Sequence, residues 1–205
     1  MTATVHFARL DVAPEEEARL AAWLDDAERA RAARFRFARH RRRFVVRRGR
    51  AREWLARAAG GDPARLRFTA NAHGKPELKD GPRFSLSHSG ETMMLAIGDA
   101  ELGCDIEAID PTLDWPPLAR SFFSPHENAA LAALAPDAAR AAFFACWTRK
   151  EAFVKALGRG LSYPLDAFTV SVGESAAILS GGEGWEARSV SSPEGYRAAL
   201  VVSAA

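Results

Sequence analysis

Apolar positions recur at helical spacing through residues 15–32, where Leu20, Trp23, Leu24 and Ala27 share one face, and this predicts an amphipathic helix. A second helix is expected over 38–59, with Phe44, Val45, Trp54 and Leu55 inward and the arginines outward. Gly60-Gly61-Asp62-Pro63 stops it. The period then shortens to that of strands at 66–69, 83–87, 93–98 and 102–107, with turns at 71–76 and 79–82. The remainder follows the same plan. Helices are predicted at 116–123, 125–134 and 138–157, the second capped by Ser124 with Pro125 at its first position, the third ended by Gly158-Arg159-Gly160. Strands follow at 168–172, 176–179, 185–190 and 196–202. Helices precede strands twice, so the expected fold class is α+β: two similar halves, residues 1–100 and 101–205, related by pseudo-twofold symmetry with a ligand cleft between them.

Composition bounds this picture. Of 205 residues, 48% are hydrophobic and 26% charged, which excludes a disordered tail, a collagen-like repeat and a disulfide-stapled miniprotein. No apolar run is long enough to span a bilayer, and the N-terminus lacks the basic and apolar regions of a signal peptide. Cys104 and Cys146 stand in apolar surroundings without metal-ligand spacing, as expected of reduced thiols in a cytoplasmic protein. Charge alters the picture more. Between Arg29 and Arg57 stand thirteen arginines against one acid, Glu53, so this segment carries +12 and the rest of the chain −10. Such asymmetry points to a polyanionic partner, although a solvated Arg-rich helix accounts for it equally well. Only four of 28 basic residues are lysines: Lys75, Lys79, Lys150 and Lys155. Ammonium and guanidinium are not interchangeable, so a chain this rich in arginine has a chemical reason wherever it keeps lysine.

Three constellations could carry chemistry. In Leu102-Gly103-Cys104-Asp105-Ile106-Glu107, strand alternation puts Asp105 and Glu107 on one face and Cys104 and Ile106 toward the core. Two adjacent carboxylates suit a hard cation such as Mg²⁺; an exposed acidic edge strand is the alternative. Around the third helix, Trp147, Glu151, Lys155 and Gly158 form one stripe, with Lys150 to its side. That stripe can serve a metal and a phosphate together, or be an ordinary Glu–Lys surface pair; Trp147 and Phe143 are expected in the core in either case. Finally, Lys75 on the Gly74-Lys75-Pro76 turn, with Ser87 and His88 in Phe84–Ser89, can hydrogen-bond a phosphate chain. A turn histidine satisfied by backbone is the alternative for His88. The Ser-His pair lacks a G-x-S-x-G elbow, which argues against a serine hydrolase.

Taken in order, Gly74–Pro76, Phe84–Ser89, Gly103–Glu107 and Trp147–Gly160 resemble the motifs of the Sfp-type 4′-phosphopantetheinyl transferases, in the monomeric two-half branch. Lys75, Lys150 and Lys155 fall on family lysines. The resemblance implies a cytoplasmic, Mg²⁺-dependent (or Mn²⁺-dependent) enzyme. It moves the phosphopantetheine group from coenzyme A to a serine of an apo acyl or peptidyl carrier protein and releases adenosine 3′,5′-bisphosphate. It further implies that Asp105, Glu107 and Glu151 hold the metal, that Glu151 takes the serine proton, and that Lys155 neutralises the phosphoryl oxygens. Lys150, Ser87 and His88 are expected at the diphosphate or 3′-phosphate, and Lys75 and Pro76 at the adenine end. Arg43 aligns best with the family arginine that reaches the nucleotide phosphate, with Arg47 as the fallback. Surplus arginines, Arg48 and Arg52 among them, are expected to meet the acidic recognition helix of the carrier.

Two other function classes compete. A nucleic-acid-binding α+β module would use the 29–57 stripe but leaves Asp105, Glu107 and Glu151 unexplained, since carboxylates repel phosphates without a metal, and stacking aromatics are missing. A degenerate fold serving as a protein scaffold would not keep three carboxylates and three lysines intact.

Overall fold

The computed structural model describes residues 2–160 and 163–204; Met1 and Ala205, the outer bounds of the two expected halves, lie outside the described residues. The chain opens with a strand missing from the sequence expectation, β1 (Ala3–Arg9). It pairs antiparallel with β5 (Thr92–Gly98). Most of its residues are half-buried on both faces, so no sharp alternation marks it. The helix expected over 15–32 is two helices, α1 (Pro14–Ala21) and α2 (Asp26–Ala33). The break comes from a capping box: Asp25 Oδ1 accepts from the Glu28 amide at 2.9 Å, and Glu28 Oε2 from the Asp25 amide at 3.2 Å. A reciprocal pair of this kind starts a helix more strongly than an apolar stripe continues one. Then come α3 (Ala38–Ala59), the ribbon β2 (Phe68–Ala70) and β3 (Pro76–Leu78), and the hairpin of β4 (Arg83–Ser89) with β5. Its two-residue turn is Gly90-Glu91, and Gly90 takes the φ of 54° that such tight turns need.

The second half repeats this order. It runs β6 (Leu102–Ala108), α4 (Trp115–Phe122), α5 (Pro125–Ala132), α6 (Pro136–Leu157), the ribbon β7 (Thr169–Val170) and β8 (Ile178–Ser180), then β9 (Trp185–Ser189) and β10 (Tyr196–Ser203). Ser124 caps α5 as expected, in a capping box with Glu127. The sheet orders are β1-β5-β4 and β6-β10-β9: in each half the first strand pairs with the last, and the last with the one before it. Both long helices have 22 residues and end at a left-handed glycine, Gly60 or Gly158.

Two features position the cleft. The sheets meet where β4 faces β6, around a shared apolar cluster of Met94, Ala96, Cys104, Ile106, Leu200 and their neighbours. On the other side, α6 lies directly on β6. A Cβ on Gly103 would stand 2.1 Å from the Ala152 carbonyl oxygen and 2.2 Å from the Ala156 nitrogen. Only glycine at this point lets the helix approach closely enough to set its Glu151–Lys155 stripe beside the acidic strand. No helix among the described residues is long and apolar enough to cross a membrane.

Candidate active site

Between the halves lies a cleft of about 730 Å³. Its walls come from α2, α3, the β2–β3 ribbon and β4 on one side, and from β6 and α6 on the other. The strand and helix readings converge here, for Asp105, Glu107, Glu151 and Lys155 all line it, as do Ser87 and His88. A second hollow of about 670 Å³, bordered by Ala27, Ala30, Arg31, Arg34 and Phe35, has no carboxylate in its wall.

The acidic wall is organised around Asp105, which is 2% exposed. Its Oδ1 accepts from Lys155 Nζ at 2.6 Å and from Ser87 Oγ at 2.7 Å, and Lys155 also reaches Ser87 Oγ at 2.9 Å. Asp105 Oδ2 is buried without a hydrogen-bond partner. Burial works against the Lys155 ammonium, but Asp105 outweighs it and the net shift is upward. Glu107 Oε2 accepts from Ser89 Oγ at 2.6 Å. Burial raises the Glu107 pKa more than this hydroxyl lowers it, and negative Asp105 adds to the rise. Burial likewise raises Glu151, with Asp105 next in effect and Lys155 opposing.

The opposite wall is cationic. Arg47 and Arg31 line the cleft, and Arg47 NH1 contacts His88 Nε2. Burial first, then Arg48 and Arg31, bring Arg47 down to about 10. Burial, Arg47 and Lys155 bring His88 to about 4, so it is neutral and accepts from the guanidinium. Arg47 Nε is buried without a partner, and no ion pair joins Arg47 to a carboxylate among the described residues. A desolvated cation without a counter-charge is costly, and an anion entering the cleft relieves it.

Among the described residues no three His, Cys, Asp or Glu side chains enclose a metal site on their own. The donor set still fits a hard divalent ion as part of a shell. Asp105 Oδ2 is an orphaned buried acceptor, Glu107 and Glu151 line the same cleft, and Mg²⁺ usually takes one or two carboxylates with phosphate and water.

Several expected site residues lie elsewhere. Lys150 is 0% exposed: its Nζ meets Glu127 Oε2 at 2.8 Å, Leu165 O at 2.7 Å and Phe168 O at 2.8 Å, so it holds α6 to the α5 cap and cannot reach a diphosphate in the cleft. Lys75 Nζ goes to Leu102 O at 3.0 Å and to Ala156 O and Glu101 at 3.2 Å each, which pins its turn against α6; Gly74 and Pro76 line the cleft instead. Arg43 turns to Asp11 and Gly90 O, each at 2.7 Å, and the fallback Arg47 faces the cleft. Arg48 pairs with Glu28 at 2.6 Å, while Arg52, 0% exposed, bonds Glu28 and Asp25 at 2.7 and 2.6 Å. Neither is free to meet an acidic partner, and Arg52 breaks the expectation that the arginines of α3 point outward. Sequence reasoning missed Arg31, the Phe68–Ala70 wall and Ser89. Of these, Arg31 stood within the 29–57 arginine stripe and Ser89 ended the Phe84–Ser89 motif, two residues beyond Ser87 on the same strand face; the Phe68–Ala70 wall carried no signal.

Comparison with known proteins gives the same direction. Residues 101–201 match the model of the 4′-phosphopantetheinyl transferase superfamily. The chain is 39% identical over 166 residues to the 4′-phosphopantetheinyl transferase HetI of a Nostoc species, covering 77% of this chain and 70% of that protein. A 4′-phosphopantetheinyl transferase of Bacillus subtilis is 37% identical over 158 residues, 76% of this chain and 69% of its own length. The 4′-phosphopantetheinyl transferase Sfp of Bacillus subtilis strain 168 is 31% identical over 167 residues, 80% and 73% of the two chains.

Proposed function

The chain belongs to the 4′-phosphopantetheinyl transferase superfamily, and on that premise we propose that it moves the 4′-phosphopantetheine group of coenzyme A to a serine of an apo acyl or peptidyl carrier protein. Mg²⁺ is its metal, with Mn²⁺ as a substitute. In this reading the serine oxygen attacks the phosphorus next to the pantetheine arm. The P–O bond to the second phosphate breaks, the serine proton passes to the enzyme, and adenosine 3′,5′-bisphosphate leaves.

Each residue acts through a property described above. Glu151 takes the serine proton, and its pKa, raised by burial and by Asp105, makes it a stronger base than an ordinary carboxylate. Lys155, charged and fixed by Asp105, offsets negative charge on the phosphoryl oxygens in the transition state. Asp105 through Oδ2, together with Glu107 and Glu151, would hold the metal. When bound, Mg²⁺ screens the diphosphate and stabilises the leaving group. Arg47, Arg31 and His88 take the nucleotide phosphates, and Gly74, Pro76 and Phe68 border the adenine end. The chain works as a cytoplasmic monomer, residues 1–100 and 101–205 each supplying one wall of the cleft.

The observation that carries this reading is the facing of two unbalanced walls, Asp105, Glu107 and Glu151 against Arg31 and Arg47. Intact-protein mass spectrometry of apo acyl and peptidyl carriers, incubated with coenzyme A, Mg²⁺ and this protein, tests it. A phosphopantetheine-sized mass gain that disappears with EDTA and in Glu151→Gln is expected. No gain with either carrier and no binding of coenzyme A would overturn the proposal.

A further inference from the structure

We propose that Ser89 is a positioning residue for the metal-binding carboxylate Glu107, so that the joint between the two halves sets metal affinity. This rests on the metal reading above. Strand β4 forms its ladder only with β5, and β6 only with β10, so no backbone ladder joins β4 to β6. Serine side chains fill that role. Ser85, Ser87 and Ser89 alternate along β4 and therefore share one face. Ser85 Oγ accepts from the Cys104 amide at 3.0 Å, and Ser89 Oγ accepts from the Ala108 amide at 3.1 Å.

A hydroxyl can do what a ladder carbonyl cannot. It accepts from an amide and still has a hydrogen to donate. Ser89 gives that hydrogen to Glu107 Oε2 at 2.6 Å, and Ser87 gives its own to Asp105 Oδ1 at 2.7 Å. The seam that joins the halves therefore also orients the two strand carboxylates. A bond of this length to a charged acceptor is among the stronger hydrogen bonds, and it fixes the Glu107 rotamer from the other half of the molecule. Ser85 sits on the same seam without touching a carboxylate, which makes it an internal control.

Outer partners that orient metal ligands typically contribute on the order of ten- to a hundredfold in metal affinity. Ser89→Ala should weaken Mn²⁺ binding about tenfold, read by electron paramagnetic resonance titration in the presence of coenzyme A, while coenzyme A binding without metal stays unchanged. Ser85→Ala should lower the melting temperature comparably and leave Mn²⁺ affinity alone. Ser89→Thr, which keeps the hydroxyl, should bind Mn²⁺ nearly as wild type does, and the near-isosteric Ser89→Val should not; this pair decides the matter if the alanine variant fails to fold. Equal Mn²⁺ affinity in Ser89→Ala and wild type, or an equal loss in Ser85→Ala, would overturn the positioning role while the metal reading stands. No Mn²⁺ binding by the wild type itself would overturn the metal reading and this proposal with it.

Discussion

The two long helices carry the same local pattern. Arg52-Glu53 is followed by Arg57 and Gly60, and Lys150-Glu151 by Lys155 and Gly158, at identical spacings. In each half the first of these residues is a fully buried cation doing one structural job. Arg52 bonds both members of the α2 capping box, Asp25 and Glu28, and the carbonyls of Pro63 and Leu66. Lys150 bonds Glu127 of the α5 capping box and the carbonyls of Leu165 and Phe168. The next residue is where the halves part. Burial would raise Glu53, but Arg50 and Arg19 outweigh it and hold it below the usual range. Glu151 is raised, by burial and by Asp105, with Lys155 opposing. The strands differ to match: the fourth and sixth residues of β1 are His6 and Ala8, and those of β6 are Asp105 and Glu107. One scaffold repeated twice thus gives one glutamate held low by arginines and one pushed up by burial and a carboxylate, and the difference lies in what surrounds each.

The largest expected effect tests that divergence. Glu151→Gln should lower kcat by on the order of 10²- to 10⁴-fold, the range for loss of a general base, with the fold retained. Glu53→Gln, at the matching position, should leave kcat within about twofold and weaken only two partly exposed ion pairs, to Arg19 and Arg50, worth ~0.2–1 kcal/mol each. Steady-state kinetics of both variants with a carrier substrate measure this. Comparable losses in kcat would mean that the two positions have not diverged.

The shared structural job is tested next. Lys150→Met leaves Glu127 buried with no cation, which should cost about 3–5 kcal/mol. Arg52→Met should cost less, because Glu28 keeps Arg48 at 2.6 Å and Asp25 is partly exposed. Urea unfolding gives both values. The double variant Lys150→Met with Glu127→Gln should recover part of the loss, since no unpaired charge is then left inside.

Much of this was legible from sequence because it is local. The D-x-E facing, the Ser124 cap and the Trp147–Glu151–Lys155 stripe follow from periods of two and 3.6 residues; the structure keeps the first two and brings Glu151 and Lys155 into the cleft, while Trp147 packs against the core of the second half. What escaped depends on partners distant in the chain. Lys150 lies beside Glu151 on the helix, and only Glu127 and the 165–168 turn decide that it points inward. Arg43 and Arg47 are one turn apart, and Asp11 captures the first and leaves the second to the cleft. The repeat between the halves was hidden for a related reason: Arg stands for Lys, and Trp54-Leu55 for Ala152-Phe153, so the match is chemical rather than literal.

The smallest effect has the most specific sign. A carboxylate whose folded pKa is depressed stabilises the fold above its unfolded value, near 4.5, and loses that contribution as pH falls through the folded value. Glu53 is of this kind. A carboxylate whose folded pKa is raised does the reverse: the folded chain holds the proton more tightly, so stability declines as pH rises from about 4.5 through the raised value. Glu151 is of that kind. In metal-free buffer, Glu151→Gln should therefore be more stable than wild type at pH 7 by tenths of a kcal/mol up to about 1, with the gain vanishing at pH 4. Glu53→Gln should be less stable at pH 7 by a similar amount, with the deficit shrinking in acid. Urea midpoints for the three proteins at the two pH values decide it. Shifts of the same sign in both variants would mean that the charges around these glutamates do not set them apart, and the contrast between the halves would then rest on the strand residues alone.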